Sequence, residues 1–219
     1  MNWKLPLSIF AVLDACAGIA AEKCPDPFKE SSGHLKDVTD SSRWRVAEKS
    51  TRIFGIQLTK SKIADVDRAL RTKGNWKTPK EEDPHEALEA CFRGKNSSSP
   101  TIFISKSALG DEIISVQIAK PSSSVHKSCA VSNALDKTLQ TDGGIRLGLT
   151  KSEVIKKLGA PGCESKARLQ YSFEQISDYK EAPTQSEDLK AYDSITFDFR
   201  LNMDKVEEIT LYRFLEISH

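Results

Sequence analysis

Two stretches of the chain carry apolar residues at three- and four-residue spacing. Ile63, Val66, Ala69 and Leu70 form one such stripe, and Val154, Ile155 and Leu158 form another, so a short helix is predicted at each. Elsewhere the period is two. Ile114, Val116 and Ile118 alternate with Ser115 and Gln117, which predicts a strand over residues 113–119 with those three residues inward. Residues 88–92 and 101–105 are further strand candidates, joined by the turn Lys95-Asn96-Ser97-Ser98-Ser99-Pro100. In the second half Leu169, Tyr171 and Phe173 alternate, then Ile195, Phe197, Phe199, Leu201 and Met203, and past a turn at Asp204 so do Ile209 and Leu211.

The halves echo one another. Leu58-Thr59-Lys60-Ser61 recurs identically as Leu149-Thr150-Lys151-Ser152, and each copy leads into a helix. Thr150 and Glu153 have the spacing of a capping box, whereas Lys62 takes the place of the glutamate in the first copy and leaves only the Thr59 cap. Gly159-Ala160-Pro161-Gly162 predicts the end of the second helix. The expected architecture is α+β, a tandem repeat of helix plus antiparallel sheet after a cleaved signal segment. Its parts are a signal peptide at 1–20, a flexible lead-in at 21–45, a first repeat at 46–130 and a second at 131–219. The lead-in holds few apolar residues, and Arg43-Trp44-Arg45-Val46 at its end suits a strand or a helix end.

The first 20 residues change the picture. Lys4 precedes a short apolar run from Leu5 to Leu13 and a small-residue stretch, the order of a secretory signal peptide, with cleavage after Ala17 or Ala20. The run is too short to span a bilayer, and no later segment approaches that length. Leu13-Asp14-Ala15-Cys16 has the form of a bacterial lipobox, which makes a lipid anchor on Cys16 the alternative to a soluble periplasmic or secreted protein. Cys24, Cys91, Cys129 and Cys163 then remain, an even number suited to an oxidising compartment. Three pairings are open. Cys91 with Cys129 is preferred, since Cys91 lies on a strand-like run and Cys129 follows the next strands, and Cys24 with Cys163 is the remainder. The absence of a Cys-x-x-Cys spacing gives a redox-active or zinc-knuckle reading little support.

The string Gly144-Ile145-Arg146-Leu147-Gly148-Leu149-Thr150-Lys151-Ser152-Glu153-Val154-Ile155-Lys156-Lys157-Leu158-Gly159-Ala160-Pro161 resembles the signature of small exported bacterial domains. These are the SmpA/OmlA-like lipoproteins of outer-membrane β-barrel assembly and, with two tandem copies, the β-lactamase inhibitor protein. It is also similar to secreted bacterial proteins with a strand cysteine and a second cysteine just before the signature, where Cys91 and Cys129 stand. Gly144, Gly148, Thr150, Glu153, Gly159 and Pro161 match it, while the first copy, around Thr59, differs by Gln57 at the place of Gly148. The resemblance implies a non-enzymatic exported protein that binds another exported or envelope protein. A secreted inhibitor of a hydrolase, such as a β-lactamase or peptidase, is the alternative.

Chemistry-bearing motifs do not argue for an enzyme. His34, His85, His126 and His219 lie in no catalytic arrangement, and the chain has no Gly-x-Ser-x-Gly, no His-Glu-x-x-His and no phosphate or dinucleotide loop. No catalytic residue, metal ligand or cofactor is therefore expected. With 32 Lys and Arg against 31 Asp and Glu, the charge of +1 disfavours nucleic acid as a partner. Asn96-Ser97-Ser98 fits a glycosylation acceptor, a match that bacterial export would make idle. The loop from Ser177 to Asp188 is the segment expected to meet a partner, and Trp44 and Trp76 suit the core.

Overall fold

Alternation with period two, not the helical stripe, dominates the architecture. The computed structural model describes residues 24, 39–77, 88–96, 98–107, 110–121, 128–179 and 189–218. Among these the elements run α1 (Ser41–Ser50), β1 (Arg52–Ile53), β2 (Ile56–Gln57), α2 (Ile63–Leu70), β3 (Leu88–Gly94), β4 (Thr101–Lys106), β5 (Ile113–Ala119) and β6 (Ala130–Ser132). They continue as α3 (Lys151–Leu158), β7 (Cys163–Glu164), β8 (Arg168–Tyr179), β9 (Leu189–Asn202) and β10 (Lys205–Ser218). Eight strands make one sheet in the order β6-β3-β4-β5-β10-β9-β8-β7, and β1 pairs only with β2. Neighbours are antiparallel except β3 and β6, which run parallel.

This corrects the α+β tandem of helix-plus-sheet units. The protein is mostly β: β5 pairs with β10 through five register pairs, from Glu208 with Ala119 to Tyr212 with Ser115, so the two groups of strands become one mixed sheet. The helices are short because each apolar stripe lasts two turns, Val66 and Leu70 in α2 and Val154 and Leu158 in α3. The expected boundary at 45/46 falls inside α1, which also takes in the end of the lead-in, and that at 130/131 falls inside β6. The proposed signal peptide and Cys16 lie outside the described residues. No helix among the described residues is long and apolar enough to cross a membrane.

One continuous core lies on one face of the sheet. Ala90, Phe92, Ile102, Ile104, Val116, Ile118, Ile209, Leu211, Phe197, Phe199, Leu169, Tyr171 and Phe173 point into it from successive strands, and Trp44, Ala47, Val66, Leu70, Val154 and Leu158 close it from the helices. The aromatic residues of β8 and β9 interlock, Phe197 meeting Phe173 edge-on at 5.8 Å and lying parallel to Phe199 at 6.1 Å. Arg213 fixes α1 to β10. Its buried guanidinium bonds both oxygens of Asp193 at 3.0 and 2.6 Å, reaches Glu48 at 3.6 Å and lies 5.7 Å from the Trp44 ring centroid. Trp44 is buried, and half-buried Trp76 packs edge-on to Phe92.

Two residues expected to point inward depart from simple alternation. Ser115 pairs with Ser105, but the next pair joins Ile113 to Lys106, so Ile114 is an extra residue in β5. This bulge buries Ile113 in the core and leaves the expected inward residue Ile114 half-buried. Met203 and Asp204 both have positive φ, forming the tight turn between β9 and β10, which leaves Met203 92% exposed instead of inward.

The two Leu-Thr-Lys-Ser copies begin their helices differently. Thr150 is the N-cap of α3: Glu153 N–H donates to its hydroxyl at 3.3 Å, and its own N–H donates to the Glu153 carboxylate at 2.8 Å. Thr59 caps nothing. It has φ of +63°, its hydroxyl donates to the Leu58 carbonyl at 2.7 Å, and the N-cap of α2 comes three residues later at Lys62, whose N–H donates to Asp65 at 3.0 Å. Accordingly, Thr150→Ala is expected to lower unfolding free energy by about 1 kcal/mol, and Thr59→Ala to change it by less than half of that in the same urea titration.

Candidate functional site

The face of the sheet opposite the helices carries no described element. Register places its side chains in rows across six strands. One row is Glu89, Ser105, Ser115, Tyr212, Thr196 and Ser172; the next is Cys91, Phe103, Gln117, Thr210, Asp198 and Gln170; the third is Arg93, Thr101, Ala119, Glu208, Arg200 and Arg168. The first row presents five hydroxyls side by side, the second a phenyl ring among amides, and the third is strongly charged.

Two adjoining depressions mark this face. The larger, about 530 Å³, is lined by Phe103, Gln117, Lys120, Arg200, Glu207 and Glu208 among others; the smaller, about 360 Å³, includes Glu89, Ser105, Ser115, Arg168, Asp198 and Thr210. Phe103, Gln117, Arg200 and Glu208 border both.

Ion pairs organise the floor. Asp198, with its side chain only 7% exposed, accepts two bonds from Arg168, Nε to Oδ1 at 2.6 Å and Nη2 to Oδ2 at 2.8 Å. That fork geometry fixes both planes. Arg200 is 66% exposed and only 3.4 Å from Glu208, so its guanidinium retains donors directed at solvent. At the rim Lys120 donates to Glu207 at 2.6 Å and Asn202 does so at 3.0 Å; these two bonds hold the Glu207 carboxyl below the usual glutamate range. Burial pushes the Tyr212 phenol and the Glu89 carboxyl up, because it disfavours the charged form of each.

No family model, curated protein or solved structure matches this chain.

The residues singled out in the sequence are elsewhere. Gly144, Gly148, Thr150, Glu153, Gly159 and Pro161 surround α3 and line neither depression. They join α3 to the β9–β10 turn: Gly148, at φ of +81°, donates to the Val206 carbonyl at 2.8 Å, and Val206 donates to that of Leu149 at 2.9 Å. Gly159, at φ of +85°, ends the helix, and the Tyr171 hydroxyl donates to its carbonyl at 3.2 Å. Burial, helped by the nearby Glu164 charge, raises that phenol to about 12. Thr59 serves the other strand group, its N–H donating to the Ile113 carbonyl at 2.7 Å.

Cys91 is bonded to Cys129, with Cα atoms 4.7 Å apart, and Cys24 to Cys163, at 5.7 Å. The first bond lies beside the open face, since Cys91 is in the row of Phe103. No group of three His, Cys, Asp or Glu suited to a metal occurs among the described residues. His34, His85, His126, His219, Ser97 and residues 180–188 of the expected partner loop fall outside them.

Phe103, Arg200 and Glu89 are the site residues that sequence reading missed. Alternation shows which side chains turn away from the core, but not that no described element covers them. The available signal was Phe103 on the polar phase of its strand.

Proposed function

We propose that this chain is an exported, non-enzymatic binding module of the bacterial cell envelope, which engages another exported protein through the open face of its sheet. The observation that carries the reading is a half-exposed, eight-stranded face on which an aromatic side chain and two arginines surround two adjoining depressions. Aromatic and arginine side chains in such hollows are the residues that dominate protein interfaces. Export is supported by the two disulfides, which persist outside the cytosol, and by the signal-like first 20 residues.

The test uses a photoreactive residue placed at Phe103, with Lys156 on the exposed side of α3 as the control position. Irradiated cells are expected to yield a discrete adduct with an exported protein from position 103 and none from 156. An envelope-assembly component as the captured partner fits an accessory role, and a soluble hydrolase fits an inhibitor. Equal yields at the two positions would sink the proposal. Once a partner is in hand, Phe103→Ala combined with Arg200→Ala should weaken its binding by at least about tenfold, the scale of hot-spot truncation, in a titration calorimeter.

A further inference from the structure

We propose that the smaller depression on the open face is a receptor for a basic side chain, a lysine or an arginine, presented by the partner. The inference rests on the protein-binding reading above and adds the chemistry of the contact.

The lining holds three carboxylates, Glu89, Asp198 and Glu208, against two guanidiniums, Arg168 and Arg200. Four of these five are matched: Asp198 with Arg168, and Glu208 with Arg200. Glu89 is the remainder. Its carboxylate has no hydrogen bond or ion pair among the described residues, and its neighbours along the row are the hydroxyls of Ser105 and Ser115.

None of the nearby cations among the described residues pairs with Glu89, although Lys77, its cross-strand neighbour, shares its face. Lys77 stands opposite Glu89 through paired backbone bonds of 2.9 Å, but its ammonium forms no ion pair with it. Lys106, on the adjacent strand, lies on the other face and donates to the Gly110 carbonyl at 2.8 Å. Arg93 is two rows along the same strand.

An unmatched, half-buried carboxylate is costly, because burial removes water that nothing replaces. Burial correspondingly raises the Glu89 carboxyl above the usual glutamate range. A neutral ligand would leave that charge uncompensated, whereas an ammonium or guanidinium would compensate it. Phe103, on the wall shared by both depressions, offers its ring to the alkyl stem or the cation.

The linkage has a definite sign. With the folded value above the unfolded one, the native protein holds the extra proton between the two, and stability falls as pH rises through that window. Glu89→Gln is therefore expected to raise the melting temperature at pH 7, with the gain disappearing below about pH 4, where both states are protonated.

The binding test follows side-chain and amide NMR signals of the oxidised protein with N-acetyl-arginine amide as probe and N-acetyl-citrulline amide as its neutral analogue. Arginine is expected to move the signals of Glu89, Ser105 and Ser115 at concentrations at least fivefold lower than citrulline, and Glu89→Gln to abolish the difference. Equal responses to the two probes, or a response unchanged in Glu89→Gln, would overturn the inference. The two readings fail separately. A Phe103 adduct whose yield ignores Glu89→Gln retains the open face and removes the basic contact; charge-selective probe binding without a Phe103 adduct retains the receptor and removes the protein partner.

Discussion

Phe197→Ala is expected to lower unfolding free energy by about 3–5 kcal/mol, the range for emptying an aromatic site in a packed core. Phe197 is fully buried in β9, stands opposite Leu211 and Tyr171 in register, and is in ring contact with Phe173 and Phe199. Its removal leaves a void between long strands whose positions are fixed on both sides by backbone ladders, so local collapse is hindered. Urea titration should show a lower midpoint with an unchanged slope. A loss below about 1.5 kcal/mol would mean that the neighbouring rings repack freely, contrary to the interlocked arrangement.

Opening either disulfide is expected to have a comparable effect. Cys91 and Cys129 are 38 residues apart in sequence and Cys24 and Cys163 are 139 apart. Chain entropy then assigns about 4 kcal/mol to the first and about 5 kcal/mol to the second. Since a domain of this kind is stable by only about 5–15 kcal/mol, each is a large share. The paired variants Cys91→Ala/Cys129→Ala and Cys24→Ala/Cys163→Ala should both unfold at lower urea, the second lower still. If the Cys24–Cys163 pair proves the weaker, the segment around residue 24 contributes little to the cooperative unit, and the ordering by loop length fails.

Local order was legible where one physical rule acted alone. The bounds of β5 follow from its alternation, and the start and stop of α3 follow from Thr150, Glu153 and Gly159. Where a second influence entered, the reading failed. The bulge at Ile114 reversed one inward assignment, and the shifted start of α2 gave Thr59 a turn instead of a cap. The union of the strands into one sheet was illegible for a different reason. Pairing between β5 and β10 joins residues some 90 positions apart, and neither strand bears a local mark of its neighbour. The candidate site depended on that union, since Phe103 and Gln117 meet Arg200 and Glu208 only because the two groups of strands share a face.

The β5–β10 seam has a mechanical consequence. It consists of five residue pairs, whereas β9 and β10 are joined by thirteen. Neither disulfide bridges it, because Cys91–Cys129 ties strands on one side and Cys24–Cys163 ends at β7 on the other. Among the seams joining the six longer strands from β3 to β8 it is the shortest, so tension applied across those strands meets its least ladder resistance midway, and an oxidised molecule under load would part there into two pieces that each keep one disulfide.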